Sequence, residues 1–304
     1  YFSFDDFVGE PRDVVDAFLE IHGFEPRFLF FDEIQKVGNW SEKIKLLYDS
    51  GKYKIFLSGS ESLFLRKGTK ETLAGRIFEI EVSILSFREY LRFVGKSHLA
   101  VKPLLHENEL RKAFADYVLI GGFPELIGKT DEVLIKTYLL DLVDKIIFYD
   151  IPRIYPVDDL PKLKAFFEIV LENPGMQVDF ASIAGRLSVS RQTLSKYAEY
   201  LLASHLLVKL YNFSKNRLTS EKKLKKFYPT VLSPILLFEK TESNYGKVIE
   251  SLVVNLSHAK FFWRDQYKNE VDLIQVTQDT LTPIEVKYRE NPVLSNGISL
   301  FAAK

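Results

Sequence analysis

Six consecutive residues near the start of this 304-residue chain, Phe28-Leu29-Phe30-Phe31-Asp32-Glu33, constrain its fold most. Four uninterrupted apolar residues are typical of a parallel β-strand that helices cover on both faces. The carboxyl end of such a strand is where open α/β sheets bind ligands, and here it carries two adjacent carboxylates. Asp32 is therefore a candidate to hold Mg²⁺ through water, and Glu33 is a candidate to polarise an attacking water molecule.

A structural interpretation of the same two carboxylates competes with the catalytic one, because acidic residues after a strand also favour the positive end of a following helix. The residues downstream favour the catalytic interpretation. Trp40 to Ser50 is amphipathic, and Lys54 to Leu57 is a second apolar strand that ends in Ser58-Gly59-Ser60. A strand-helix-strand unit of this kind places small hydroxyl side chains beside the first carboxylates, where they could sense a phosphate.

Four motifs, in this order, resemble the prokaryotic and archaeal AAA-type P-loop ATPases (AAA_14-like) that carry a C-terminal DUF4143-like or nuclease-like region. The motifs are Phe31 to Val37, Leu57 to Ser62, Leu73 to Arg76 and Leu85 to Leu91. The resemblance implies that Asp32 and Glu33 are the Walker B pair, that Asp32 binds Mg²⁺ and that ATP is the bound nucleotide.

The same resemblance implies roles for three further side chains. Ser58 or Ser60 would occupy the sensor 1 position, and Arg76 would be a phosphate-sensing or finger arginine. Such an arginine acts across a subunit interface or within its own chain, so a homo-oligomer is one expected arrangement. An ion pair between Arg76 and the acidic run Glu79 and Glu81 is the alternative, because such pairs form readily on protein surfaces.

One part of the family pattern is absent, because no Gly-x-x-x-x-Gly-Lys-Ser/Thr motif occurs in the 304 residues. Gly95-Lys96-Ser97 does not complete it, since Tyr90 stands where the first glycine belongs. The opening residues, Tyr1 to Asp6, resemble the strand that follows the phosphate-binding helix. We therefore expect a segment before Tyr1 in the natural protein, or a chain shortened there. Without the backbone cradle and its lysine, the chain as given should bind nucleotide poorly.

Composition excludes several classes of site. The chain has no cysteine, and its five histidines show no metal-ligand spacing, which excludes disulfides and thiolate metal sites. No apolar run approaches the length of a membrane span, and no signal-peptide pattern opens the chain, so we expect a cytoplasmic protein without a membrane partner. With 41 basic and 41 acidic residues, any nucleic-acid surface must be local.

The pattern predicts an ATPase core over residues 1–100 and a helical region over residues 101–157. Helix formers dominate the second region and are interrupted at Gly121-Gly122. The resemblance implies a helical lid here, although a plain interhelical turn explains the glycines equally well. Pro152 and Pro156 disfavour helix at the residues before them, and we place a domain boundary near Pro156.

The order of predicted helices and strands over residues 158–235 indicates a winged helix. Helices are expected over Leu160 to Glu172, Phe180 to Leu187 and Arg191 to Leu202, with strands over Leu206 to Phe213 and near Lys225 to Leu232. The third helix opens with polar side chains, as helices that enter a DNA major groove do. From Lys209 to Lys226, around the predicted hairpin Ser214 to Lys223, there are seven basic residues and one acidic residue, which favours phosphate contact. Winged helices also dimerise or dock on proteins, which is the alternative. The DNA-binding candidates are Arg191, Gln192, Lys196, Lys215, Arg217, Lys222 and Lys223.

Residues 236–304 resemble the core of PD-(D/E)xK nucleases. Glu250 lies on a predicted helix, Asp272 on a predicted strand, and Glu285 and Lys287 on the next strand, Pro283 to Lys287. The period of two in a strand aims Glu285 and Lys287 at one face. The resemblance implies that Asp272 and Glu285 bind Mg²⁺ and that Lys287 orients or activates water. An exposed Glu-x-Lys ion pair is the alternative.

Together these patterns predict an α/β protein with a P-loop, AAA-like parallel-sheet core and a helical lid, followed by a winged-helix domain and a C-terminal restriction-endonuclease-like α/β domain. The expected function is ATP hydrolysis coupled to action on DNA. One alternative is a regulatory switch ATPase that binds a protein partner and carries an inactive nuclease-like domain. Another is a degenerate scaffold that neither hydrolyses ATP nor cleaves DNA.

Overall fold

The computed structural model describes residues 1–5, 9–59, 72–214, 216, 225–237, 241–278, 280–289 and 296–303. The chain divides into two compact units, Tyr1–Glu81 and Val82–Lys304. The sequence predicted an ATPase core over residues 1–100, whereas residues 82–100 belong to the second compact unit. Among the described residues, no helix is long and apolar enough to cross a membrane.

The first unit is a parallel sheet packed against helices. Its regular elements are β1 (Phe2–Ser3), α1 (Pro11–His22), β2 (Phe28–Asp32), α2 (Trp40–Asp49) and β3 (Lys54–Leu57). Strand β2 lies between β1 and β3 and is parallel to both. Because side chains alternate along a strand, Leu29 and Phe31 point to one face, where they share a core with Val15, Ile44 and Leu47 of the two helices.

The other face of this sheet differs from the sequence prediction of a strand covered on both sides. Phe30 of β2 and Phe56 of β3 stack on each other with ring centroids 4.6 Å apart. Phe30 remains 45% exposed and Phe56 remains 42% exposed. Among the described residues, α1 and α2 therefore bury one apolar face of the sheet and leave these rings of the second face in contact with solvent.

The second unit begins with a series of helices, several of which start at a side-chain cap. These helices are α3 (Phe87–Phe93), α4 (Glu107–Leu119), α5 (Glu132–Lys145), α6 (Leu160–Glu172), α7 (Phe180–Leu187) and α8 (Arg191–Ala203). The side chain of Asp179 accepts hydrogen bonds from the backbone at the start of α7, and Ser190 does the same for α8. The bounds predicted for α6 and α7 agree with the structure.

A six-stranded sheet completes the second unit. Its strands are β4 (Met176–Gln177), β5 (Leu207–Asn212), β6 (Lys226–Pro229), β7 (Phe261–Arg264), β8 (Glu270–Val276) and β9 (Leu281–Ile284), and α9 (Glu242–Ser257) and α10 (Asn296–Ala302) accompany them. The strand order is β4-β6-β5-β7-β8-β9. Strands β5 and β7 pair in parallel, and the other described pairs are antiparallel. One sheet therefore runs across the boundary predicted between residues 235 and 236.

The two glycines of the Gly121-Gly122 turn allow a close approach of backbone segments in the second unit. Both have positive φ, 60° and 78°. A Cβ atom at Gly121 would lie 2.6 Å from the carbonyl oxygen of Leu232, and one at Gly122 would lie 3.0 Å from that of Leu85. The N–H of Leu85 donates to the carbonyl of Gly122 at 2.9 Å. Tertiary packing therefore requires these glycines, independently of any motion of a lid.

The Leu85 to Leu91 motif, which carried part of the family resemblance, packs in this second unit. Ser86 and Glu89 form a reciprocal capping box at the start of α3. Tyr90 and Leu91 are buried in the large core that also contains Tyr117 of α4. The hydroxyl of Tyr117 donates to the carbonyl of Leu85 at 2.7 Å. The motif therefore stabilises the helical part of the second unit.

Candidate functional site

Asp32 is the last residue of β2, and two hydroxyl groups bind its carboxylate. Ser58 Oγ donates to Oδ1 at 2.7 Å, and Tyr1 Oη donates to Oδ2 at 2.7 Å. Strands β2 and β3 are parallel with Phe31 opposite Leu57, which brings their carboxyl ends together. The hydroxyl of Ser58 is the largest cause that lowers the pKa of Asp32, followed by that of Tyr1. The carboxylate is therefore ionised at neutral pH.

Glu33 turns the chain sharply after β2. Its φ of 53° lies in the left-handed region, which is uncommon for a residue other than glycine. Its Oε2 accepts a hydrogen bond from Nε2 of Gln35 at 2.7 Å. A three-residue 3₁₀ helix, Ile34–Lys36, follows, and the Glu33 side chain makes no capping hydrogen bond to it. The geometry therefore gives no support to the helix-cap interpretation of this carboxylate.

The other residues predicted for this site differ in their positions relative to Asp32. Ser58 contacts Asp32, whereas Ser60 lies outside the described residues. Arg76 Nε lies 3.3 Å from Oδ1 of Asp49, not in contact with Asp32. Asp49 ends α2 shortly before β3 begins, and so it lies toward the amino ends of the strands. The predicted role of Arg76 therefore remains a prediction.

A second group of carboxylates lies in the second unit, where α9 meets the sheet. Asp272 of β8 is half-buried, and its Oδ2 accepts the backbone N–H of Val286 at 2.9 Å. Burial, and then the negative charge of Glu250, raise the pKa of Asp272 to about 6. The Val286 N–H and the ammonium groups of Lys226 and Lys287 oppose this increase. The structure therefore brings Glu250 and Asp272 together, as the sequence predicted.

Glu285 and Lys287 lie beyond the strand that was predicted to contain them, because β9 ends at Ile284. The N–H of Val286 bonds to the side chain of Asp272, which takes it out of the backbone ladder. Lys287 Nζ lies 2.5 Å from Oε1 of Glu285, whose side chain is only 7% exposed. The Glu-x-Lys ion pair is therefore formed, but its acidic member is buried and not exposed.

Sequence reasoning missed three residues of this second group. Lys226 Nζ lies 2.5 Å from Oε1 of Glu270 and 3.7 Å from Oε1 of Glu250, and its side chain is 6% exposed. Tyr228 Oη donates to Oε1 of Glu250 at 2.7 Å. Counting Lys226 among the basic residues that favour phosphate contact was therefore wrong, because its ammonium group is buried in ion pairs. The alternation of Lys226 and Tyr228 along one strand was the available signal.

The two groups differ in how well their donors fit a divalent metal. In the described ranges, no group of three His, Asp or Glu side chains is placed to hold a metal ion. The ionised carboxylate of Asp32, with hydroxyl neighbours, suits Mg²⁺ that keeps several of its waters. The donors of the second group do not fit, because Glu250 and Asp272 share their surroundings with buried cationic or N–H partners. The predicted metal site at Asp272 and Glu285 gains no support.

Helix α8 presents a polar surface, as predicted. Arg191, Gln192 and Lys196 are exposed, whereas Leu194 and Tyr197 are buried. The four hairpin candidates Lys215, Arg217, Lys222 and Lys223 lie outside the described residues. Lys209 also counted toward the basic hairpin, and its Nζ lies 3.1 Å from Oε1 of Glu199.

Three regions of the chain match known protein families. Residues 1–91 match the family described as AAA domain (AAA_14). Residues 111–230 match DUF8612, and residues 245–303 match DUF4143; both are described as domains of unknown function. A Walker-type ATPase of Pyrococcus abyssi is a structural neighbour with a TM-score of 0.38 and 20% sequence identity, covering 74% of this chain and 66% of that chain.

Curated relatives occur in an archaeon and a bacterium. An uncharacterized protein of Methanocaldococcus jannaschii is 31% identical over 74% of this chain and 51% of its own length. An uncharacterized protein of Haemophilus influenzae is 30% identical over 61% of this chain and 46% of its own length. The chain thus spans about half the length of the curated relatives it matches. The match of residues 1–91 to an AAA domain and that of residues 245–303 to DUF4143 support an AAA-like ATPase family.

Proposed function

We propose that this chain carries part of the hydrolytic centre of a P-loop ATPase, with Asp32 and Glu33 as its Walker B pair. The observation that carries this proposal is the hydrogen bond between Ser58 and Asp32 at the carboxyl edge of a parallel sheet. The AAA-domain match over residues 1–91 supports it. The phosphate-binding motif does not occur in the 304 residues, so the activity is proposed for the whole protein.

Bound ATP with Mg²⁺ would supply the γ-phosphate and the cation that neutralises it. Asp32 would hold the cation through water, because the donated hydrogen bonds keep its carboxylate ionised. Glu33 would orient the attacking water and accept its proton once its carboxylate leaves Gln35. Ser58, already bonded to Asp32, would link the state of the phosphate to β3.

ATP turnover by the full-length protein tests this proposal. Glu33→Gln should lower kcat by about 10²- to 10⁴-fold, because it removes a general base, and should leave ATP binding intact. Glu42→Gln, which alters an exposed carboxylate on α2, is the matched control. Turnover that survives Glu33→Gln unchanged would contradict the proposed role of this residue.

A second candidate function is DNA binding by residues 158–235 as a winged helix. The supporting observation is the order helix, short strand, two helices and hairpin, with Arg191, Gln192 and Lys196 exposed on the last helix. Duplex binding measured by fluorescence anisotropy at low salt tests it. Arg191→Gln with Lys196→Gln should weaken binding, and Lys136→Gln, an exposed change on α5, should not. No binding at low salt would reject this function and favour docking on a protein partner.

For residues 236–304 we propose a nuclease-like fold without assigning cleavage. The proximity of the Glu250 and Asp272 side chains and the neighbouring Glu285-Lys287 ion pair support the fold. The donor set does not fit a metal, and so we derive no hydrolytic step there. The poor fit of these donors to a metal ion favours a switch ATPase whose C-terminal region does not cut DNA.

A further inference from the structure

Lys226 is a buried cation in the interior of the six-stranded sheet. It opens β6, which lies between β4 and β5, and 5% of the residue is exposed. Its Nζ lies 5.2 Å from the ring centroid of Phe262 on β7. A buried ammonium is costly unless charged or polar partners compensate it, and so the position of Lys226 needs an electrostatic reason.

That reason lies in the carboxylates around it. Nζ contacts Glu270 at 2.5 Å and Glu250 at 3.7 Å, and its charge also acts on Asp272. These carboxylates come from α9 and β8, which are distant from Lys226 in the sequence. One ammonium group therefore neutralises acidic side chains from two other elements.

Each carboxylate of the group also has a partner within the protein. Glu250 accepts from the hydroxyl of Tyr228, Asp272 from the N–H of Val286, and Glu285 pairs with Lys287. Glu270 is additionally 3.4 Å from Arg264 NH1. Four carboxylates thus face three cationic side chains, namely Lys226, Arg264 and Lys287.

We propose that the Lys226 ammonium is a fixed internal cation that takes the place of a divalent metal in this carboxylate group. It joins β6 to α9 and β8, and the group binds no metal ion while Lys226 is present. This inference does not depend on the proposed ATPase. It names a positioning residue that the nuclease resemblance does not include.

Mn²⁺ binding, followed by electron paramagnetic resonance, tests the metal part of the proposal. Asp32→Asn serves as the background, because it removes the other proposed cation site. The Asp32→Asn variant should bind no Mn²⁺ at Glu250 and Asp272, even at millimolar Mn²⁺. Bound Mn²⁺ that disappears on Glu250→Gln or Asp272→Asn would overturn the proposal, and this measurement needs no variant of Lys226.

Replacement of the cation tests the electrostatic part. Lys226→Met keeps most of the length of the side chain and removes its charge, and should raise the unfolding equilibrium constant of the second unit on the order of 10²- to 10³-fold. Added Mn²⁺ should reverse part of that loss through Glu250. Lys260→Met, which changes an exposed lysine before β7, is the matched control. An unchanged unfolding constant in Lys226→Met, or a loss that Mn²⁺ does not reduce, would overturn the proposal.

Discussion

Asp32 and Asp272 both lie in strands, yet their surroundings act on them in opposite directions. Asp32 ends a parallel strand at an accessible edge, and the hydroxyls of Ser58 and Tyr1 lower its pKa. Asp272 is half-buried next to Glu250, and its removal from water is the largest cause that raises its pKa to about 6. The same side chain is thus kept ionised in one unit and pushed toward its neutral form in the other.

This difference shows what each carboxylate is able to do. An ionised carboxylate at an open sheet edge is available to a cation and its waters. A carboxylate that is half-buried among fixed donors and near a buried lysine already contributes to the stability of the fold. The number of acidic residues in a motif therefore does not distinguish a ligand site from a structural ion network.

The largest effect that follows from this comparison concerns Asp272 and is measured through pH. In the folded state Asp272 holds its proton up to about pH 6, whereas an unfolded aspartate releases it near 3.8. The second unit should therefore lose stability as pH rises through this window, by roughly 3 kcal/mol in total. Asp272→Asn should flatten this dependence in urea unfolding.

Tryptophan fluorescence can follow each unit separately, because the chain has two tryptophans, Trp40 in the first unit and Trp263 in the second. In a Trp40→Phe background, Trp263 reports unfolding of the second unit. Asp141→Asn, an exposed change on α5, is the control. A slope between pH 4 and 6 that Asp272→Asn leaves intact would show that other groups cause it.

A smaller effect should follow from Tyr228→Phe, which removes a hydrogen bond to the carboxylate of Glu250. Loss of a buried donor to a charged acceptor costs about 1 to 3 kcal/mol. We expect this decrease in the unfolding free energy reported by Trp263. Tyr267→Phe, which alters a tyrosine that is 77% exposed, should change it little. Equal unfolding free energies for the two variants would show that the Tyr228 hydroxyl does not stabilise the ion network.

The smallest effect concerns the exposed carboxylate. Ser58→Ala should raise the pKa of Asp32, because the Ser58 hydroxyl is the largest cause of its lowering, and Tyr1→Phe should raise it less. Carboxyl ¹³C chemical shifts measured against pH give both values. The stability that these hydrogen bonds contribute is present above the unfolded pKa and is lost as pH falls through the lowered folded pKa. A greater effect of Tyr1→Phe on the pKa of Asp32 would contradict this order.

Local sequence signals predicted many elements of the fold well. Asp179 and Ser190 cap α7 and α8 directly before the first residues predicted for these helices, because capping depends on residues only two or three positions apart. The strand predicted over Pro283 to Lys287 ends earlier, at Ile284. The reason is that a side chain of another strand, Asp272, takes the N–H of Val286.

The sequence by itself determined that Asp32 and Ser58 meet, because parallel strands joined by one helix bring their carboxyl ends to the same edge. Only the tertiary structure decided the surroundings of Lys226. Its partners Glu250 and Glu270 come from other elements and are brought to it by sheet order and helix packing. Hydrogen bonds between adjacent strands follow from local patterns, whereas the electrostatic environment of a side chain depends on every element that excludes water from it.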